Sequence, residues 1–211
     1  MRPKHVLMTA FALGAPWLAA LQADEVELKP ERWKSAGENI AFGEHMGRKC
    51  IHFKGKGGRD AYLTDHEFAD GEIRFKAAGS MFIGCIFRVR DGTTYEGVYF
   101  RPENSRHADP QKRKHAVQYI AHPKYTWQYL RKSFPEKYEA AADIPTNEWF
   151  DVRIVVSGKR AEVFVNDGTS PCLVVEELLH GESSGSVGFF VDSGREGWFA
   201  NLRIAPVEQK R

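Results

Sequence analysis

Trp149–Gly168, WFDVRIVVSGKRAEVFVNDG, decides the fold of this chain. Two runs of alternating apolar and polar residues meet at Ser157-Gly158-Lys159, and a second turn follows at Asn166-Asp167-Gly168. Alternation with period two places every second side chain on one face of a strand, and Gly between two such runs marks a hairpin. The same pattern spreads outward. GEIRFKA sets Ile73, Phe75 and Ala77 on one face and Glu72, Arg74 and Lys76 on the other. IAFGEHMGRKCIHF reads as two short strands around a Gly-bounded turn. MFIGCIFRVR is mostly apolar, hence buried on both sides, and turns at Asp91-Gly92 into TYEGVYFRP. HAVQYIAH, CLVVEEL, GSVGFFVD and GWFANLRIA supply further strands, with a short helical turn expected at VEELLHG. Sustained helical periodicity and internal repeats are absent. Many short strands at regular spacing imply one all-β domain, an antiparallel sandwich or barrel.

The N-terminus reads differently. Arg2 and Lys4 precede an apolar run from Val6 to Ala20, then small residues before Asp24. This is the pattern of a signal peptide covering residues 1–23, with a cut after Ala23 or, as an alternative, Ala20. The run is short for a membrane span, contains Pro16 and lacks a basic stop-transfer cluster. The competing reading is a buried N-terminal helix. Export to the periplasm or the extracellular space is expected, with residues 24–211 forming the mature domain. Losing two of the 30 basic residues leaves 28 Lys and Arg against 28 Asp and Glu. A neutral surface argues against nucleic acid, whose phosphates call for a basic excess. Cys50, Cys85 and Cys172 are an odd number for an exported chain. Each lies in an apolar run, so three buried thiols are expected, with a Cys50–Cys85 bridge as the alternative. There is no CxxC and no zinc-type Cys/His spacing.

VRIVVSGKRAEVFVND, then GSVGFFV and a terminal FANLRI, resemble the C-terminal half of the concanavalin A-like lectin/glucanase superfamily. The nearest resemblance is to laminin-G-like and 3-keto-disaccharide hydrolase-like domains of exported bacterial proteins, over roughly residues 38–206. The resemblance implies a concanavalin A-like jelly roll whose concave sheet is the ligand surface. It is nearly silent on activity, because this fold hosts many.

The candidate site lies around Tyr95–His122, YEGVYFRPENSRHADPQKRKHAVQYIAH, where a polar loop joins two aromatic-bearing strands. Residues 101–137 hold nine Lys and Arg against three Asp and Glu. Such a segment either attracts an anionic or heavily hydroxylated ligand or is a solvated loop face. If Val98 and Phe100 face the core, Tyr99 and Arg101 share the other face, with Asn104 just beyond. Neighbouring strands then add Arg88 and either Gln118 or His115, and Trp127, Tyr125 and Tyr129 supply a wall. Aromatic rings pack on the C–H face of a pyranose while Arg, Asn and Gln bond its hydroxyls, so a carbohydrate is the expected partner. The ligand-binding set is therefore Arg88, Tyr99, Arg101, Asn104, Gln118 and Trp127. The structural alternative is that Arg and Tyr cover apolar surface, with Arg101 paired to Glu96 or Glu103.

Two further functions stay open. Glycosidases use two carboxylates, and the E-x-D-x-x-E strand motif of the resembled glucanases is absent. The keto-disaccharide relatives imply one base instead, for which Glu96 and His115 are the catalytic candidates. His107 and His122 match no metal motif with them, and no metal site or cofactor is expected beyond a structural calcium at Asp192 or Asp167. A laminin-G-like adhesion module with a protein partner is the third reading. G-x-S-x-G and a P-loop are missing, and GKGG at residues 55–58 reads as a turn.

Overall fold

The computed structural model describes residues 25–35, 37, 40–55, 60–192 and 194–206. The signal-peptide segment and most of the Gly-rich turn at 55–58 lie outside the described residues. After a 3-10 turn at Pro30–Arg32 the strands are β1 (Trp33–Ser35), β2 (Ile40–His45), β3 (Arg48–Phe53), β4 (Asp60–Leu63), β5 (Gly71–Gly79), β6 (Ile83–Val89) and β7 (Tyr95–Phe100). Two short helices, α1 (Pro102–Ser105) and α2 (Pro110–Arg113), fill the loop before β8 (Val117–His122). Then come α3 (Trp127–Ser133), β9 (Glu139–Ala140), β10 (Phe150–Ser157), β11 (Arg160–Val165), β12 (Leu173–Val175), β13 (Ser186–Val191) and β14 (Gly197–Ala205).

The strands form two antiparallel seven-stranded sheets, ordered β1-β4-β13-β6-β7-β8-β9 and β12-β11-β10-β5-β14-β3-β2. This is the expected jelly-roll sandwich. The 149–168 hairpin pairs Val152 with Val165 and Ser157 with Arg160. Between the sheets lie the alternate residues that the patterning selects: Ile73, Phe75 and Ala77 of β5 are all buried. Phe189 stacks on Phe199 across the interface at 4.2 Å and on Trp33 at 5.5 Å. Each such ring withdrawn from water contributes about 1.5–3 kcal/mol.

Three local expectations change. The aromatic stretch after β8 contains α3, capped by the Thr126 side chain, which accepts from the Tyr129 N–H. VEELLHG forms turns and no helix. The three cysteines are free, but Cys172 is only half-buried, and Cys50 and Cys85 belong to different sheets. Burial pushes the Cys172 thiol up to about 11, which disfavours the thiolate at neutral pH. Among the described residues no helix is long and apolar enough to cross a membrane.

Candidate functional site

The outer face of the first sheet, the face turned away from the second, carries a groove of about 510 Å³. Strand register builds it. Tyr95 of β7 pairs with His122 of β8, and Tyr99 pairs with Gln118, so odd-numbered β7 residues share a face with even-numbered β8 residues. Tyr95 and His122 stack at 5.1 Å, 7° from parallel, and form one end. Ile120 lines the middle, and Tyr99, Phe82, Phe190 and Trp127 line the rest. Asp60 stands opposite Phe190 on β4, and Asp192 follows β13 with its N–H bonded to the Phe82 carbonyl at 3.1 Å. A wall of rings with two carboxylates and an imidazole is thus gathered from five separate segments.

Tyr99, Arg101 and Gln118 do come together, but not on an open surface. The segment carrying α3 and β9 covers them, leaving Tyr99 3 % and Arg101 4 % exposed. Arg101 donates to the Tyr99 hydroxyl at 2.6 Å and to the His115 carbonyl at 2.7 Å, and reaches Gln118 Oε1 at 3.4 Å. Its carboxylate partner is Glu139, at 3.5 Å, rather than Glu96 or Glu103. Glu139 also receives Arg131, 2.9 Å from its Nε, and lies 3.1 Å from His115 Nδ1. The guanidinium of Arg101 sits 4.7 Å over the Tyr99 ring and 5.9 Å from Trp127, while Arg131 covers Trp127 at 4.8 Å. This cluster is the back wall of the groove and holds Tyr99 and Trp127 in place. His115 lies outside the groove, lowered from the usual imidazole range by burial. Asn104, in α1, is half-buried and does not line the groove.

Two predicted members sit elsewhere. Arg88 is on no outer face: a register shift between Ser186 and Gly188 opposite β6 and a φ of +52° at Arg88 break the alternation. Its side chain plugs the end of the sandwich, donating to the carbonyls of Ala69, Gly158 and Gly181 at 2.8 Å each. Glu96 shares parity with Val98 and Phe100 and so points into the core, where it is 0 % exposed. Its two oxygens accept from the Tyr119 hydroxyl and from the His180 N–H, the latter at 2.9 Å. Neither can touch a ligand in the groove.

Burial raises Glu96 above the usual carboxylate range, against the hydrogen bonds that favour its charged form. Folding therefore takes up a proton here, and this group's contribution to stability falls as pH rises past about 4.5. Melting curves between pH 4 and 7 should show the gap between wild type and Glu96→Gln narrowing with rising pH. A constant gap contradicts this.

Four of the nine cations of the basic segment form ion pairs within the chain: Arg106 with Asp143 at 2.7 Å and Lys114 with Glu136 at 2.7 Å on the surface, and Arg101 and Arg131 with Glu139. His107 caps its own loop, accepting from the Asp109 N–H at 3.0 Å. Among the described residues no group of three or more His, Cys, Asp or Glu is placed to hold a metal ion. Asp192 lines the groove, and Asp167 lies on the outer face of the second sheet. The groove residues that the sequence did not single out for ligand include Tyr95, Asp60, Phe82 and Phe190. Tyr95 was accessible from the parity of Tyr99; the others come from distant segments.

Residues 24–205 match the model of the 3-keto-alpha-glucoside-1,2-lyase-like domain. The chain belongs to that family. Among curated proteins none matches it. Among solved structures it is similar to the carbohydrate-binding module CBM66 from Bacillus subtilis, with a TM-score of 0.57 and 11 % identity over 82 % of this chain and 95 % of that one. It is also similar to Bacillus licheniformis β-glucanase, with a TM-score of 0.54 and 7 % identity over 88 % of this chain and 97 % of that one. The exoplasmic/lumenal domain of VIP36, solved with Ca2+ and Man3GlcNAc, gives 0.55 and 9 % identity over 86 % of each chain. At these identities the likeness is one of fold, the concanavalin A-like sandwich.

Proposed function

We propose that the protein binds a glycoside in the groove on the outer face of the first sheet, and that this face serves as the concave ligand surface the resemblance implies. The observation that carries this reading is the lining itself. Rings of Tyr99, Trp127, Phe82, Phe190 and the Tyr95–His122 pair surround a space of about 510 Å³ that also receives Asp60 and Asp192. Such a volume lies within the range of small-molecule sites, which run to roughly 300–1,000 Å³. Aromatic faces accept the C–H side of a pyranose, and carboxylates accept its hydroxyl protons. The lyase-like family and the carbohydrate-binding neighbours support a sugar as ligand. Export, to the periplasm or beyond the cell, belongs to the same proposal and rests on the N-terminal pattern alone.

One observation favours a catalytic reading alongside it. The groove holds three groups able to accept a proton, His122, Asp60 and Asp192. In a 3-keto glucoside the hydrogen on C2 is acidified by the neighbouring ketone. A base that takes this proton drives formation of the C1–C2 double bond and cleavage of the bond from C1 to the glycosidic oxygen, which takes up a proton and leaves as the alcohol, a 1,2-elimination. Glu96 and His115, outside the groove, are replaced as candidates by these three.

The test is calorimetric titration of the protein with glucosides and their 3-keto counterparts, with chromatography of every mixture. Binding without product supports the lectin-like reading. Release of the aglycone from keto-glucosides, lost in His122→Gln or Asp192→Asn, supports elimination. Neither binding nor turnover with any glycoside contradicts both.

A further inference from the structure

A carboxylate sealed in an apolar core at the back of a binding groove calls for a reason, and its hydrogen bonds supply one. Glu96 lies between Tyr95 and Gly97 on β7 and opposite Ala121, the residue before His122 on β8. It therefore sits directly behind the Tyr95–His122 stack, on the other side of the sheet. Its oxygen Oε1 accepts the His180 N–H at 2.9 Å, and Oε2 accepts the Tyr119 hydroxyl proton. The Tyr119 oxygen in turn accepts the Leu179 N–H at 2.8 Å. Two successive backbone donors of one loop are thus gripped from within. The next residue of that loop, Gly181, gives its carbonyl to Arg88 at 2.8 Å. The loop so held presents the His180 ring to the His122 carbonyl, 2.8 Å from Nε2. A carbonyl only accepts, so His180 carries its proton on Nε2 in this contact. His122 is the last residue of β8, and the His180 ring gives its carbonyl a donor there.

We propose that Glu96 is a positioning residue of the groove, holding His180 from the core side so that His180 fixes His122 and the Tyr95–His122 stack. The inference rests on the reading that this groove takes the glycoside. Only the ionised carboxylate, the form present above the raised pKa of this group, meets the demand in full. Both of its partners are donors, so each oxygen must accept. In Glu96→Gln one side becomes an NH2 group. Turned toward His180 it opposes the backbone N–H; turned toward Tyr119 it leaves that hydroxyl proton without an acceptor. Either way one buried donor is stranded, and the loop must shift to relieve it. The groups that face Glu96 and tune it are Tyr119, the His180 ring and the Arg88 guanidinium.

The experiment compares wild type, Glu96→Gln and Ile51→Val. Ile51 is buried on β3 of the second sheet, where it pairs with Phe42 and Phe199, and it does not line the groove. Binding is measured by calorimetry with the tightest glycoside found, and the imidazole signals of His122 and His180 by nitrogen-15 NMR. Glu96→Gln should lose about tenfold or more in affinity, the scale of one stranded buried donor, and should move both imidazole signals. Ile51→Val should lose stability yet keep its affinity within about twofold, since the methyl group it loses lies in the other sheet. The proposal is overturned if Glu96→Gln leaves the imidazole signals unmoved, or if Ile51→Val weakens binding as much. Should Glu96→Gln not fold, Tyr119→Phe removes the hydroxyl bridge and must move the same signals. If wild type binds no glycoside, the imidazole signals still report the clamp, so failure of the groove's function and failure of the clamp are told apart.

Discussion

Replacing Arg101 with alanine is expected to lower unfolding stability by about 3–5 kcal/mol, the cost of breaking a buried ion pair on one side only. Arg101 is 4 % exposed, and burial pulls its guanidinium below the usual range even with Glu139 beside it. Removing it strands the Tyr99 hydroxyl, the His115 carbonyl and part of the Glu139 charge together. Arg131 remains on Glu139, which holds the cost toward the lower end. The double variant Arg101→Met/Glu139→Leu should recover part of the loss, because it removes both sealed charges and leaves Arg131, whose side chain is 35 % exposed, to water. Urea denaturation measures both. A single variant within about 1 kcal/mol of wild type, the median value of a surface pair, would show that Arg101 is solvated rather than sealed under α3.

Trp127→Ala carries the second large effect, this time on binding. The ring is the wall of the groove that α3 supplies, held from behind by Arg131 and Arg101. Truncating a central aromatic contact costs about 2 kcal/mol or more, roughly thirtyfold in Kd. The melting temperature should move little by comparison, because α3 is anchored by buried Leu130 rather than by Trp127. Unchanged affinity in this variant would mean that the sugar does not use the α3 side of the groove.

The fold was legible because alternation is a local property. The 149–168 hairpin and the Ile73, Phe75, Ala77 face of β5 stand in the structure as their patterns require. The union of Tyr99 with Gln118 was legible for the same reason, once β7 and β8 were taken as neighbours. Arg88 was not, because a bulge with positive φ rotates it out of the period-two series. Glu96 shows a conflict between two signals. Its charge suggested an outward position, whereas its parity with Val98 and Phe100 placed it inward. Parity prevailed because two donors wait for it in the core. Helix α3 spans only seven residues, too few for a helical period to stand out. Asp60, Phe82, Phe190 and Asp192 reach the groove through strand order, β4 beside β13 beside β6, which is a non-local fact. The charge of residues 101–137 left a ligand segment and a solvated loop face both open for a related reason: the carboxylates that pair Arg101, Arg106, Lys114 and Arg131, at 136, 139 and 143, lie at or just beyond the end of that segment.

The most direct test of the groove as a glycoside site is a crystal structure of the protein soaked with the best-binding glucoside or 3-keto glucoside. The sugar ring should lie on the outer face of the first sheet, against Trp127 and Tyr99, with its hydroxyls toward Asp60, Asp192 and His122. A sugar bound on the second sheet or on the loops at the sandwich ends, with this groove left to solvent, would contradict the account.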